Sequence, residues 1–161
     1  MFGKDDLRVA DTLEHLGNMY GRECDYDKAI VLLEESLYIR INILGPDNVF
    51  IAPVLYSLGS IFEKRREYDT SIKAYSDCLS IQRNNLGLDS IDCADTLTNI
   101  GSCLGNQGEF DDALHAWTEA HEIYTAAGLH YDHPKIEAIY RFKELGERFL
   151  KKKQTKWDIL R

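Results

Sequence analysis

The chain has 161 residues, 44% of them hydrophobic, which is enough to bury a continuous core and excludes a disordered polypeptide. No apolar run reaches the roughly 18 residues that a membrane-spanning helix needs, and no apolar stretch follows a basic one at the start, so neither a membrane partner nor a secretory signal is predicted. The net charge is −8, but residues 148–161 carry six basic residues and one acidic residue; residues 1–147 therefore carry −13, a charge that repels nucleic acid.

The sequence repeats itself with a period of 42 residues. The match runs from one end of each segment to the other, and it brings three segments into register. The aligned sets include Ala10, Ala52 and Ala94; Leu13, Leu55 and Leu97; Gly17, Gly59 and Gly101; Tyr26, Tyr68 and Phe110; and Asp27, Asp69 and Asp111. We therefore predict three equivalent structural units.

Each unit contains two stretches in which apolar residues recur at helical spacing. In the first unit, Val9, Leu13, Leu16 and Tyr20 lie four, three and four positions apart, and a second stretch begins at Tyr26. The segment between the stretches is short and polar, which suits an antiparallel pair of helices. The predicted helices span about 7–22, 26–43, 49–64, 68–85, 91–106, 110–127 and 134–152.

The sequence also carries signals for where the second helix of a pair begins and ends. Asp27 and Asp69 fall in the predicted first turn, where exposed N–H groups favour negative charge. Gly45-Pro46 and Gly87 follow the last apolar residues, and glycine readily takes the left-handed conformation that ends a helix.

Small residues at aligned positions predict close helix packing within each unit. Gly17, Gly59, Gly101, Ala29 and Ala113 would let two helix axes approach to about 8–10 Å. A large residue in place of Gly59 is expected to cost a few kcal/mol by overpacking, on the order of 1–3 kcal/mol.

The segment Leu13-x-x-Leu16-Gly17-x-x-Tyr20, with Ala29 downstream, resembles the tetratricopeptide repeat. The period of 42 is longer than the roughly 34 residues of the common form. The longer unit and its Leu-Gly-x-Asp link are similar to the repeats of kinesin light chains, as is the later link Asp132-His133-Pro134. The resemblance covers about residues 2–142 and is specific as to fold rather than partner.

The resemblance implies an all-α fold: a right-handed α-solenoid of three tandem helix-turn-helix repeats followed by a C-terminal capping helix. A single domain over residues 1–152 is expected. Its parts are repeats at about 7–48, 49–90 and 91–133 and a capping helix at about 134–152, followed by a basic tail at 153–161. Phe2-Gly3-Lys4-Asp5 aligns with the link Leu44-Gly45-Pro46-Asp47, so we expect the chain to be a piece of a longer array.

The resemblance further implies a peptide-binding groove lined by the first helix of each pair. The exposed faces of these helices are polar and mixed in charge. The groove candidates are Asp11, Glu14, His15, Asn18 and Arg22 in the first repeat, Pro53, Tyr56, Ser57, Ser60 and Lys64 in the second, Asp95, Thr98, Asn99, Ser102 and Asn106 in the third, and Arg141 in the last helix.

Asn99 is the strongest of these candidates. In kinesin light chains an asparagine at this point of the first helix contacts bound peptide, and the corresponding residues here are His15, Ser57 and Asn99. The alternative interpretation is a solvated polar surface. Glu14 and Asp95 stand where some members of the wider family use cations to grip a terminal carboxylate, so we expect a neutral, aromatic or basic ligand instead.

No combination of residues in the sequence favours catalysis, a cofactor or a metal site. His130 and His133 lack a second pair of ligands at zinc-binding spacing, and His121 is interpreted as a half-buried core residue. The four cysteines show no CxxC spacing, which favours reduced thiols and a cytoplasmic location.

We therefore predict a protein-interaction module or scaffold that holds a peptide segment of another protein in its concave groove. The alternative is structural self-association, in which copies stack end to end through an exposed terminal repeat. An enzyme is not expected.

Overall fold

A computed structural model of the chain describes residues 6–159, with side chains described as far as Lys152. The predicted link at residues 2–5 and the side chains of the predicted basic tail, 153–161, lie outside this description. The helices are α1 (Leu7–Arg22), α2 (Tyr26–Leu44), α3 (Ala52–Lys64), α4 (Tyr68–Leu86), α5 (Ile91–Gln107), α6 (Phe110–Ala126) and α7 (Pro134–Ile159). The described residues contain no strand, which confirms the predicted all-helical fold and its seven helices.

The helices fall into two compact units. Unit 1 spans residues 1–87 and contains α1 to α4, and unit 2 spans residues 88–161 and contains α5 to α7. In unit 1, α1 packs against α2, α3 against α4, and α2 against α3. In unit 2, α6 packs against both α5 and α7. The expectation of one domain over residues 1–152 stays a prediction.

Two helix boundaries differ from the predicted ones by more than one residue. Val49–Ile51 forms a 3-10 turn before α3, in which the Asn48 side chain accepts a hydrogen bond from the Phe50 N–H at 3.0 Å. Pro53 lies in the first turn of α3. Proline has no N–H group, and an N–H at this position would have no hydrogen-bond acceptor within the helix, so proline does not disturb the helix here. The last helix, α7, was predicted to end at residue 152 but continues to Ile159, because no glycine or proline follows Lys152 to stop it.

The turns confirm that the repeats are equivalent. Gly45 and Gly87 end α2 and α4 with the positive φ angles, +86° and +94°, that glycine accepts readily, but their ψ angles of 158° and 161° are extended and not those of the predicted left-handed cap. The turn inside each hairpin places one residue at positive φ. That residue is Cys24 (φ 63°), Arg66 (φ 64°) or Gly108 (φ 86°), at positions 42 residues apart.

A glycine in the first helix of each repeat faces a bulky side chain of the second helix. A Cβ atom built on Gly59 would lie 2.7 Å from two ring carbons of Tyr75, and one on Gly101 would lie 2.6 Å from Cδ1 of Trp117. In the first repeat the opposing residue is Leu33. The side chain therefore increases in size from repeat to repeat, and glycine leaves the room that it needs.

A second set of aligned positions joins the two helices of a repeat through a small side chain. The Ser36 hydroxyl donates to the Ala10 carbonyl at 2.7 Å, and the Cys78 thiol donates to the Ala52 carbonyl at 3.2 Å. The third repeat has the fully buried Ala120 at this position. Because these groups are buried, only short side chains fit between the helices.

Candidate peptide-binding surface

The acidic candidates of α1 are paired with a cation from inside unit 1. Arg40 of α2 has a side chain only 8% exposed, and its Nη2 atom donates to Asp11 at 2.8 Å and to Glu14 at 2.6 Å. Its Nη1 atom donates to the Phe50 carbonyl at 3.1 Å. This buried guanidinium therefore holds α1, α2 and the start of the next hairpin together, and it neutralises charge that a ligand would otherwise meet.

The other candidates of α1 lie nearer to solvent. His15 and Arg22 are exposed, and Asn18 is half-buried. Two apolar side chains are also exposed on this helix, Leu16 at 39% and Met19 at 53%. The surface of α1 thus offers hydrogen-bonding groups next to apolar ones.

On α3, the candidates Ser57, Ser60 and Tyr56 are half-buried, and Lys64 and Pro53 are exposed. Tyr56 contacts Tyr75 of α4, which is fully buried. The ring of Tyr56 packs edge-on against the ring of Tyr75, with 5.4 Å between ring centroids. Tyr56 is therefore fixed by packing and presents only part of its surface.

Glu63, also on α3, was missed by the sequence analysis. Its carboxylate accepts a hydrogen bond from the Tyr75 hydroxyl at 3.2 Å, and burial raises the pKa of this carboxyl, although the Tyr75 bond acts in the opposite direction. The aligned residues in the other repeats are Gly21 and Gly105. The second repeat thus has a carboxylate where the other two repeats have glycine, and this difference in the sequence could have marked Glu63 as unusual.

In unit 2, the acidic candidate Asp95 is paired as well. It accepts hydrogen bonds from the Tyr124 hydroxyl and from Nζ of Lys135, which belongs to α7. The Lys135 ammonium also lies 5.3 Å from the centroid of the Tyr124 ring. This cluster joins α5, α6 and α7, so the carboxylate has a structural role.

The remaining candidates of α5 form a polar row. Asn99, Ser102 and Asn106 are spaced three and four residues apart, which puts them on one helix face. Asn99 and Ser102 are half-buried and Asn106 is exposed. The hydroxyls of Thr98 and Ser102 donate to backbone carbonyls one turn earlier, so their lone pairs remain for a ligand.

Arg141 of α7 does not join this row by any described contact. Its side chain is 76% exposed and pairs with Glu137 on the same helix at 2.5 Å. His121, interpreted as a core residue, is half-buried, and its Nε2 atom lies 3.2 Å from the Tyr140 hydroxyl.

The polar row borders a pocket that sequence reasoning did not find. We name it the α5–α7 pocket; its volume is about 470 Å³. Ser102 and Asn106 line it together with Gly105, Gln107, Gly108, Phe110, Trp117, Phe142, Leu145 and Phe149. The aromatic residues of α7 have no aligned counterparts in the repeats, so the periodic pattern gave no reason to place them here.

Within residues 6–152, no group of three His, Cys, Asp or Glu side chains is arranged to hold a metal ion. Among the described helices, none combines the length and the apolar character that crossing a bilayer requires.

Comparison with known proteins identifies relatives of this fold. A family model of the tetratricopeptide repeat matches residues 8–84 and, in a second register, residues 50–126. No curated protein matches the sequence significantly.

Solved structures similar to this chain include BtubC (BKLC) from P. vanneervenii, with 18% identity, a TM-score of 0.74, and coverage of 96% of this chain and 66% of that one. Nearly identical TPR-like repeats of the kinesin light chain type from Podosopora anserina give 15% identity, a TM-score of 0.77, and coverage of 96% and 72%. The N-terminal domain of stress-induced protein-1 from C. elegans gives 12% identity, a TM-score of 0.65, and coverage of 85% and 96%. At these identities the likeness shows the fold, and the chain spans only about two thirds of the first of these structures.

Proposed function

Because the chain belongs to the tetratricopeptide-repeat family, we propose that it is a protein-interaction module that binds a peptide segment of a partner protein on the exposed face of α5 in unit 2, with the exposed faces of α1 and α3 in unit 1 as a separate candidate surface. Proteins of this family commonly act as scaffolds for protein–protein interaction and generally not as enzymes. The observation that carries the proposal is the polar row Asn99, Ser102 and Asn106, of which Ser102 and Asn106 line an open pocket within unit 2.

The chemistry of this row suits an extended peptide. An asparagine amide both donates and accepts hydrogen bonds, so Asn99 and Asn106 can pair with backbone N–H and C=O groups of a ligand. The pocket beside them can bury one apolar side chain of the same ligand. Backbone pairing would supply affinity, and the pocket would supply selectivity.

The pairing of the acidic candidates supports a ligand that the protein does not hold by its terminal carboxylate. Asp11 and Glu14 are held by Arg40, and Asp95 is held by Lys135. These cations are committed to internal pairs, so they do not form a clamp for an anion. Hydrogen bonds and apolar contact therefore carry recognition in this proposal.

Alanine substitution of the two candidate asparagines tests the proposal. A peptide selected from a random displayed library is resynthesised with a fluorescein label, and its binding is measured by fluorescence anisotropy. We expect Asn99→Ala to weaken binding by about tenfold, because a lost hydrogen bond to a partly buried group is worth about 1 kcal/mol or somewhat more. Asn18→Ala tests the candidate surface of unit 1 in the same way and should weaken a peptide that binds there.

Asn84→Ala is the matched control, since Asn84 is exposed on α4, a second helix. It should leave the affinity unchanged. Full affinity in both the Asn99→Ala and Asn18→Ala variants would place the binding site elsewhere.

A second candidate function is self-association, which the exposed apolar surface of α1 favours. Leu16 and Met19 are 39% and 53% exposed, and Val9 and Leu13 line an open, mainly apolar concavity on the same helix. Copies that covered this surface would bury apolar area. Light scattering over a wide range of protein concentration should then show a growing molar mass that Met19→Glu reduces, whereas a monomer at every concentration rejects self-association.

A further inference from the structure

The walls of the α5–α7 pocket are two stacked aromatic pairs. Trp117 and Phe142 have ring centroids 5.2 Å apart with an interplanar angle of 18°, and Phe110 and Phe149 have centroids 4.6 Å apart at 9°. Leu145 and Phe149 remain 49% and 48% exposed. A concave surface with exposed apolar side chains of this size can bury a bulky apolar group from outside.

One wall of the pocket is kept free by a glycine. A Cβ atom on Gly105 would lie 3.1 Å from Cη2 of Trp117, so any side chain there would stand against the indole and fill part of the space. The aligned positions carry Gly21 in the first repeat and Glu63 in the second. The third repeat is therefore the one that combines glycine at this position with an indole opposite it.

Carboxylates lie along one edge of this pocket. A neighbouring concavity shares Gly108, Phe110 and Phe149 with it and is lined by Glu109, Asp111 and Asp112. These three side chains are exposed, and they make no ion pair with any other described residue. They differ in this respect from Asp11, Glu14 and Asp95, whose charges are already paired.

Helix α6 itself accounts for part of this charge, since carboxylates in a first turn are favoured by the helix dipole. That role needs no partner. The three carboxylates remain exposed to solvent beside an apolar pocket. No lysine or arginine occurs among the described residues that line either concavity. A ligand with both apolar and cationic groups would complement both features.

We infer that the α5–α7 pocket binds a segment of another protein in which a bulky apolar side chain is flanked by lysine or arginine. The apolar side chain packs between Leu145 and the two aromatic pairs, and the cations pair with Glu109, Asp111 and Asp112. This inference rests on the proposed function, because Ser102 and Asn106 of the candidate surface also line the pocket. It adds the chemical class of the partner, which the polar row alone does not specify.

The probes are short fluorescein-labelled peptides that share a central tryptophan and differ in its neighbours, which are lysine, serine or glutamate on both sides. A fourth peptide keeps the lysines and has alanine in place of tryptophan. Binding to the full chain is measured by fluorescence anisotropy at low and at physiological salt. We expect the lysine and tryptophan peptide to bind at least about tenfold more tightly than each of the others.

Two variants separate the apolar and the electrostatic contributions. Leu145→Glu places a charge in the pocket at a side chain that is 49% exposed, so it should weaken this peptide by about tenfold without unfolding the chain. The double variant Asp111→Asn and Asp112→Asn should weaken it several-fold and reduce its salt dependence. Circular dichroism checks that each variant is folded.

Matched controls come from unit 1. Val31→Glu changes an apolar residue of α2 that is 63% exposed, and Asp69→Asn removes the carboxylate aligned with Asp111. Both should leave the affinity unchanged. Equal binding of the alanine and tryptophan peptides, or a Leu145→Glu variant that binds the lysine and tryptophan peptide as tightly as Val31→Glu does, would mean that basic peptides are attracted by net charge alone and would overturn the inference.

Another result would show that the α5–α7 pocket binds something other than a basic segment of a partner protein. If light scattering shows a dimer that Leu145→Glu dissociates, the pocket binds a second copy, and the inference of a foreign basic segment is wrong. If Leu145→Glu has no effect on the lysine and tryptophan peptide while Asn99→Ala still weakens the library peptide, the pocket inference fails and the proposed interaction module stands.

Discussion

Replacing Gly59 with alanine should lower the free energy of unfolding by about 2 kcal/mol. The added Cβ would lie 2.7 Å from two ring carbons of Tyr75, whose side chain is fully buried and cannot move aside freely. Overpacking of this kind destabilises a protein by up to about 3 kcal/mol, whereas the higher helix propensity of alanine stabilises it by up to about 1 kcal/mol. The clash is the larger effect, so the net change is destabilising. Urea unfolding followed by circular dichroism measures the difference.

Gly146→Ala is the control for this prediction, because Gly146 is also a buried glycine inside a helix. Its added Cβ would meet Leu114 at 3.4 Å, an ordinary contact distance, so helix propensity should dominate and the stability should stay level or rise. If the two substitutions had the same effect, close approach would not be the reason for glycine at position 59.

Replacing Arg40 with methionine should lower the free energy of unfolding by about 3 kcal/mol, near the lower end of what breaking a buried ion pair costs. Glu14, with a side chain 18% exposed, would lose its cation, and the Phe50 carbonyl would lose a donor. Asp11 is 56% exposed and can return to water, which limits the loss. The measurement is again urea unfolding.

An exposed ion pair provides the comparison. Arg148 pairs with Glu144 at 2.6 Å, but both side chains are more than 60% exposed, so Arg148→Met should change the stability by less than about 0.5 kcal/mol. A loss in Arg40→Met as small as that would show that the buried network contributes no more than a surface pair.

The helices were predicted well because their end signals are local. The predicted end of the second helix at residue 43 is one residue short of Leu44, since Gly45 and Pro46 mark the boundary directly. Where no such signal exists, the prediction fails: nothing in the sequence after Lys152 stops α7, and it continues to Ile159. The 3-10 turn at Val49–Ile51 was missed because its apolar spacing does not differ from that of a helix.

The partners of the candidate residues were less predictable than the residues themselves. Arg40, Gln82 and Tyr124 are aligned and all buried, yet they are three different kinds of side chain. Periodicity shows that these positions are equivalent, but it does not predict that Arg40 pairs with Glu14 or that the Tyr124 hydroxyl donates to Asp95. Those contacts join residues 26 and 29 positions apart, beyond the reach of local patterns.

The pocket was hidden for a related reason. Phe142 and Phe149 lie on α7, which follows a link like those before α3 and α5 but has aromatic residues where α5 has none. Their helical spacing fits a capping helix that simply covers the core. Only the packing of α7 shows that they stack on Trp117 and Phe110 and leave space between the pairs.

The side chains that face each other inside a hairpin are matched in pairs, and this limits how such an array can be recombined. Tyr75 has its acceptor in Glu63, whereas Trp117 needs the bare backbone of Gly105. A crossover between two repeats that fell between their helices would set the indole against a carboxylate, or leave the phenol hydroxyl facing a glycine. Whole hairpins can be duplicated or lost without breaking these matches, so the length of the array can change more readily than the pairing within its units.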